Sequence, residues 1–200
     1  MRTLSILAPA FVAIPLLLAC TRTDAPRASA DSPTRSAAPV SDTSAASRPS
    51  APGDSWTVTP AGIGAIRVGL DTTDLRRIGG EFTVPKASAE CSYVRPALAP
   101  RGVLVMLAHG RVARVDVDSA GVRSDAGIAV GDSVSRVVAA YGTRVTATPH
   151  KYLRGGQYLT VQPTAAEDST FRLVFETDSG RVTRFRSGRL PEVAWVERCG

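Results

Sequence analysis

Residues 103–117 read VLVMLAHGRVARVDV, and this stretch decides the fold because it predicts a β-hairpin. An apolar run, Val103–Ala108, is followed by His109-Gly110 and then by a second run that ends at Val117. Glycine supplies the positive φ that a tight hairpin turn needs. Residues 171–186, FRLVFETDSGRVTRFR, repeat the pattern: a strand over 171–176, a turn over 178–180, and the GRV motif again.

The second strand of each hairpin alternates in character, which predicts how the sheet is buried. Ala113, Val115 and Val117 share one face of the first hairpin, and Arg114 and Asp116 share the other. In the second hairpin, the two faces are formed by Thr183 with Phe185 and by Arg184 with Arg186. The alternation predicts an antiparallel sheet with one face buried and one face in water.

A short helix is predicted before each hairpin. The segments IRVGLD (66–71) and IAVGDS (128–133) resemble each other, and each leads into a helical pattern that ends at Gly80 or Gly142. In the second helix, apolar residues fall on one face at Val134, Val137, Val138 and Tyr141. Asp71 or Thr72 is the predicted N-cap of the first helix, with Leu75 and Ile78 pointing inward, and Asp132 or Ser133 is the predicted N-cap of the second.

The order of these elements predicts an α+β fold in which helices pack on one face of an antiparallel sheet. Helix followed by hairpin occurs twice, so we expect two tandem repeats in one domain over residues 55–200. Repeat one covers about 60–118 and repeat two about 122–190. Residues 192–199 are predicted to form a C-terminal strand.

The tandem unit, a glycine followed by a helix and a β-hairpin, resembles the module of β-lactamase inhibitor proteins and of the SmpA/OmlA outer-membrane assembly lipoproteins. The end of the chain, GRVTRFRSGRLPEVAWVERC, also resembles that of uncharacterised bacterial lipoproteins. The first resemblance implies a non-catalytic scaffold that binds other proteins, and it assigns no individual binding residue. The second resemblance implies no function.

The N-terminus has the pattern of an export signal. Arg2 precedes an uncharged run over residues 4–19, which is shorter than a spanning helix and contains Pro9 and Pro15. Its end, Leu17-Leu18-Ala19-Cys20, resembles the lipobox of bacterial lipoproteins, which implies a signal peptide over 1–19 and a lipid on Cys20. Thr21 after the cysteine implies sorting to the outer membrane, with the domain facing the periplasm. A plain secretory signal that contains a cysteine is the alternative.

Residues 20–54 are rich in alanine, serine and proline and carry sparse, balanced charges. Such a composition buries too little apolar surface to offset the entropy of ordering, so it predicts a disordered tether. A glycosylated stalk is the alternative interpretation of the same composition.

With Cys20 lipidated, Cys91 and Cys199 remain in an oxidising compartment, and a disulfide between them is the expected outcome. A redox-active pair is the alternative, although the sequence has no Cys-x-x-Cys spacing to support it.

The sequence offers little for catalysis. His109 falls at a predicted turn, and His150 has no cysteine, acidic cluster or second histidine near it at metal-ligand spacing. No nucleophile elbow or phosphate-binding glycine loop is present in the sequence. We therefore expect no enzyme activity, metal or cofactor. The alternative is an envelope hydrolase that acts on cell wall or glycan through the His150 region.

Two groups of residues are candidates for a binding surface. The net charge of +6 and the arginines of the second hairpin, Arg172, Arg184 and Arg186, favour an anionic partner. The second group consists of His150, Lys151, Tyr152, Tyr158 and Trp195, since aromatic residues are common interface anchors. An ordinary solvated face and a small aromatic core are the alternatives. The expected partners are a membrane, through the lipid, and a protein or an anionic envelope component; the compartment argues against nucleic acid.

Overall fold

The computed structural model describes residues 56–85, 90–165 and 169–199. The predicted signal peptide, Cys20, Thr21 and the tether over 20–54 lie outside the described residues, and these predictions remain open. Within the described ranges, no helix has the length and apolar character required to cross a membrane.

The described chain contains two α-helices and ten β-strands. The helices are α1 (Thr72–Gly79) and α2 (Val134–Tyr141). The first strands are short: β1 (Val58–Thr59), β2 (Gly62–Ile63), β3 (Ile66–Arg67) and β4 (Cys91–Val94). The longer strands are β5 (Val103–Ala108), β6 (Arg111–Val117), β7 (Val145–Pro149), β8 (Gln157–Val161), β9 (Phe171–Asp178) and β10 (Arg181–Arg189).

The strands form two sheets. Strands β1, β2 and β3 form a small antiparallel sheet, and the main sheet has seven strands in the order β4-β5-β6-β10-β9-β8-β7. All neighbouring pairs in the main sheet are antiparallel, and its central strand is β10, which pairs with β6 and β9. The predicted mixture of helices with antiparallel sheet is confirmed.

The helix caps follow from local sequence. The carboxylate of Asp71 accepts hydrogen bonds from the backbone N–H groups of Thr73 and Asp74, each at 2.9 Å, and the hydroxyl of Ser133 accepts one from the N–H of Arg136 at 3.2 Å. These bonds satisfy N–H groups that a helix start leaves without partners. Of the alternatives predicted for each helix, Asp71 and Ser133 are the caps.

The turns of the two long hairpins have the same geometry. His109 and Gly110 have φ values of 50° and 74°, and Ser179 and Gly180 have values of 48° and 75°. Two consecutive positive φ values are typical of the type I′ turn, whose twist matches that of the flanking strands. The predicted hairpins are confirmed, with β9 extending to Asp178.

The face of the main sheet that carries both helices, called the helix face, holds the apolar core. Phe175 and Phe185 lie with ring centroids 5.3 Å apart, and Tyr141 of α2 lies 5.8 Å from Phe175. Leu75 of α1 is fully buried in the same cluster. The prediction for Val138 was wrong: its side chain is 45% exposed, because α2 lies on the sheet along the narrow stripe of Val137 and Tyr141.

The prediction of a C-terminal strand was also wrong. Residues 191–199, called the strap, contain a 3-10 helix at Glu192–Ala194 and cross the opposite face of the main sheet, called the strap face. The strands under this segment, β6, β9 and β10, already have a neighbour on each side, so they offer it no edge to pair with. The strap ends at Cys199, which forms a disulfide with Cys91 of β4 and confirms the predicted pairing.

Because the strap covers it, this second face is not in water as the alternation predicted. Arg114, Asp116 and Arg186 are all buried, and only Arg184 remains on the exposed side of the strap. Charged side chains are rarely buried unless they are paired, so the partners of these residues define the region of interest.

Candidate functional site

The strand register arranges the side chains of the strap face in rows that run across the sheet. In two of these rows an acidic side chain lies beside a basic one on the neighbouring strand, which suits cross-strand ion pairing. One row contains Asp116, Arg186, Val174 and Thr160; the next contains Arg184, Glu176, Tyr158 and Thr148; a third contains Arg114, Gly188 and Arg172.

Arg114 joins the sheet to the strap. Its Nε and Nη2 donate to the two carboxylate oxygens of Asp116 at 2.8 and 2.5 Å, a bidentate pair. Its Nη1 donates to the backbone carbonyls of Glu192 at 3.2 Å and Trp195 at 2.7 Å. The strap has no strand partner for these carbonyls. The guanidinium therefore supplies a donor to Trp195, and a second donor to Glu192, which also accepts from the backbone N–H of Trp195 at 3.2 Å.

Gly188 of β10 makes room for Arg114. A Cβ atom at position 188 would lie 2.5 Å from the carbonyl oxygen of Ala113 and 2.9 Å from the Cα of Arg114. Both contacts are with backbone, which has little freedom to move, so the close approach of β6 and β10 at this point requires glycine.

Arg186 makes a second link of the same kind. Its Nη1 donates to Glu176, and its Nε donates to the backbone carbonyl of Val193 at 2.7 Å. Burial lowers the pKa of the Arg186 guanidinium, as does the neighbouring charge of Arg114, whereas Glu176 acts in the opposite direction. Together, Arg114 and Arg186 bind three carbonyls of the strap.

Glu176 lies among three basic side chains. In addition to Arg186, the Nε of Arg184 lies 3.0 Å from Oε2 of Glu176, and the Nε2 of His150 lies 3.5 Å from the same oxygen. The Arg184 side chain is 48% exposed, so this carboxylate connects the buried cluster to the surface.

His150 is held in one orientation. Its Nδ1 accepts hydrogen bonds from the backbone N–H groups of Tyr152 at 3.1 Å and Leu153 at 3.2 Å, and its ring stacks on Tyr158 with centroids 4.4 Å apart. An accepting Nδ1 places the proton of the neutral imidazole on Nε2, which faces Glu176. The side chain is only 4% exposed, so it supports the loop from below rather than lining an open cleft.

Above His150, the loop over residues 150–156 contacts the strap. Lys151 Nζ lies 2.7 Å from Oε1 of Glu197, and the hydroxyl of Tyr152 donates to the same oxygen. The hydrogen bond from Lys151, followed by that from Tyr152, lowers the pKa of Glu197 to about 2. The Tyr152 side chain remains 60% exposed and Trp195 39% exposed, so two aromatic groups face solvent beside these charges.

A groove of about 380 Å³ lies between the strap and the floor formed by β8 and β9. Its lining includes Arg172, Arg186 and the ring of Tyr158, and its other walls are apolar or hydroxyl-bearing. Arg172 Nη1 donates to the backbone carbonyls of Ser169 and Phe171, at 2.5 and 2.6 Å.

The structure brings the two predicted groups of residues together. The three arginines of the second hairpin lie on the strap face, and the remaining candidates lie on the same face, on the 150–156 loop or on the strap: His150, Lys151, Tyr152, Tyr158 and Trp195. Sequence reasoning missed Arg114, Asp116 and Glu176 as members of this region. The alternation did identify the face of Arg114 and Asp116, but it gave no sign that the strap would cover it.

In the part of the chain that the structure describes, no group of three or more His, Cys, Asp or Glu side chains is arranged to hold an ion. His109 is exposed at the turn between β5 and β6, as predicted.

Comparison with known proteins adds little to this picture. No known protein family matches the chain, and no protein with a curated description matches it. A solved extracellular protein from Bacillus anthracis that contains an SCP domain is similar over 72% of this chain, with 11% sequence identity and a TM-score of 0.41, and the chain spans about half (49%) of its length. The uncharacterized protein YfeY from Escherichia coli is similar over 66% of this chain and 99% of its own, with 11% identity and a TM-score of 0.35.

Proposed function

We propose that this chain is a lipoprotein of the bacterial cell envelope, anchored through Cys20, whose folded domain is a non-catalytic module that binds an acidic protein surface. The tether over 20–54 would hold the domain away from the outer membrane on its periplasmic side. Each CH₂ of a lipid chain that enters the membrane contributes about 0.8 kcal/mol to membrane binding, so several chains on one cysteine suffice for stable anchoring.

One observation carries the binding proposal: all eight candidate residues converge on the strap face, and its exposed part combines aromatic and basic groups. Tyr152 and Trp195 face solvent, and the same loop, the strap and β10 also carry exposed cations at Lys151, Arg154, Arg198 and Arg184. Tyrosine, tryptophan and arginine are the residues that most often dominate the binding energy of protein interfaces. Net positive charge here favours an acidic partner.

The surface is also held in place before any partner arrives. His150 fixes the 150–156 loop from below, and Glu197 ties that loop to the strap. The strap is itself bound by Arg114 and Arg186. Preorganisation of this kind lowers the entropy cost of binding, which favours a recognition surface.

Matching hydrogen bonds support the proposal that the domain consists of two tandem repeats. The N–H of Gly69 donates to the carbonyl oxygen of Val112 at 2.7 Å, and the N–H of Gly131 donates to the carbonyl oxygen of Val182 at 2.8 Å. The first arginine of each following strand, Arg111 or Arg181, donates from Nη1 to the carbonyl of the same glycine, at 2.9 or 3.0 Å. These equivalent contacts favour the protein-binding scaffold that the resemblance to inhibitor and assembly modules implies.

The proposal can be tested by site-specific photo-crosslinking in living cells that produce the full chain. A photoreactive residue replaces Tyr152 or Trp195 on the strap face, and the control replaces Val138, which is exposed on α2 at the opposite face. We expect one defined protein adduct from both strap-face positions, none from position 138, and loss of the adduct in Arg184→Glu. Mass spectrometry of the intact protein should find a lipid on Cys20 and none in Cys20→Ser. Equal adducts from all three positions, or a Cys20 without lipid, would contradict the proposal.

An envelope hydrolase remains the second candidate, because His150 and Glu176 form a buried pair. Against it, Nδ1 already accepts two backbone N–H groups, and the side chain is almost fully buried. Its Nε2 lies 3.5 Å from Oε2 of Glu176 and makes no hydrogen bond to a described residue. Among the described residues, no serine or threonine hydroxyl hydrogen-bonds to this histidine, as a nucleophile activated by it would. The purified chain can be tested for cleavage of peptidoglycan or glycan fragments. Cleavage that is lost in a folded His150→Gln variant would favour the hydrolase over the binding module.

A further inference from the structure

We propose that the groove between the strap and strands β8 and β9 binds a single-chain anionic amphiphile, meaning a carboxylate or phosphate head on one alkyl chain. This goes beyond the binding of a protein at the exposed rim of the strap face. The groove measures about 380 Å³, which falls at the lower end of the range for small-molecule pockets.

The charge of the groove favours an anion. Two arginines, Arg172 and Arg186, line it, and none of the described lining residues is acidic. Glu176 pairs with Arg186 and also with Arg184, so one carboxylate is shared between two guanidinium groups. Within the described residues, the hydrogen bonds of Arg172 go to neutral backbone carbonyls and its guanidinium forms no ion pair. Guanidinium groups suit carboxylate and phosphate oxygens because their planar donors match them in geometry.

The remaining walls favour an alkyl chain. Val174 forms part of the floor, and Val193 and Val196 of the strap face it, with Leu190 nearby at 38% exposure. Along β9 the floor extends from Arg172 past Val174 to the row of Tyr158, a distance of about 13 Å for four residues of strand. An elongated ligand with one charged end fits this arrangement, with its head beside Arg172 and its chain directed past Val174 towards Tyr158 and Pro149.

The test is calorimetric titration of the mature chain, residues 20–200, carrying Cys20→Ser, which lacks both the lipid and the apolar signal run. The probes are sodium decanoate, n-decyl phosphate and decyltrimethylammonium, each below its micelle concentration. We expect one decanoate or decyl phosphate to bind per chain, and the cationic probe to bind at least tenfold more weakly. The two anions also identify the preferred head, since a carboxylate and a phosphate are compared on the same chain. Shortening decanoate to octanoate should weaken binding by roughly fourfold per methylene removed.

Two variants and one control locate the site. Arg172→Gln should weaken binding of both anions about tenfold or more, the usual loss for a hydrogen bond to a charged group. Thr160→Phe should block the groove while leaving both arginines in place. Arg189→Gln, which removes an exposed arginine from the end of the same strand as Arg186, should have no effect. Thermal unfolding of each variant checks that it is folded.

Failure to bind either anion, equal affinity for the cationic probe, or unchanged affinity in Arg172→Gln would overturn the proposal. The crosslinking positions 138, 152 and 195 do not line the groove, so either proposal can fail while the other stands.

Discussion

The two faces of the main sheet are buried by different means. On the helix face, Phe175 and Phe185 pack against each other under α2, and burial follows from apolar contact alone. On the strap face, Arg114 and Arg186 are buried under a segment with no strand pairing, and both bind its carbonyls. A regular helix satisfies its own backbone, but an irregular strap does not. The buried arginines of the strap face therefore supply the donors that the strap lacks.

Of the changes considered for the two faces, removal of the disulfide should reduce the free energy of unfolding most. Cys91 and Cys199 are 108 residues apart, and chain-entropy estimates for a loop of this length give roughly 4–5 kcal/mol of stabilisation. We expect Cys91→Ser/Cys199→Ser to lose about this much in urea unfolding. Hydrogen exchange should rise first in the strap and last in the helix-face core of β9. Uniform loss of protection across both faces would show that the strap is not a separate unit.

Arg114→Met should have the next largest effect. The single change leaves Asp116 buried without its guanidinium partner and removes a donor from two strap carbonyls, so we expect a loss of about 3–5 kcal/mol in urea unfolding. The double variant Arg114→Met/Asp116→Leu removes the unpaired charge and should regain part of that loss. If the double variant is no more stable than the single one, the buried charge is not the source of the cost.

The smallest effect concerns Glu197 at the edge of the strap face. Its pKa in the folded protein is about 2, below the ordinary value of 4.5. Above pH 4.5 the ionised carboxylate therefore stabilises the folded state through its contact with Lys151. This contribution is lost as the pH falls through about 2. Carbon-detected NMR titration of the Glu197 carboxyl should show the low midpoint, and Lys151→Met should move it towards 4.5. A midpoint that Lys151→Met leaves unchanged would contradict the assigned cause.

Local signals in the sequence predicted the helix caps, the hairpin turns and the helix face. Asp71, Ser133 and Gly110 act through hydrogen bonds or backbone angles within a few residues, so a short window contains all that is needed. The same window contained the alternation of Arg114 and Asp116, which identified the second face correctly as a face.

The burial of that second face could not be predicted in the same way. The carbonyls that Arg114 binds are 78 and 81 residues away, at Glu192 and Trp195. The strap also carries a mixed pattern, EVAWVERC, which is compatible with a strand until the register of β6 and β10 leaves it no edge. The merging of two candidate surfaces into one followed from the same long-range contacts.

The position of Pro149 in β7, at one end of the main sheet, has a consequence for self-association. The hydrogen bonds from His150 N to Gly156 O and from Gln162 N to Arg144 O fix the register of β7 and β8. In this register, the backbone N–H and C=O groups of the even-numbered residues of β7 point towards β8. The odd-numbered residues therefore direct their backbone groups outward, and at Pro149 that group has no N–H. An incoming strand finds donors only at Val145 and Ala147, which makes this edge a poor template for edge-to-edge aggregation between neighbouring copies of the domain.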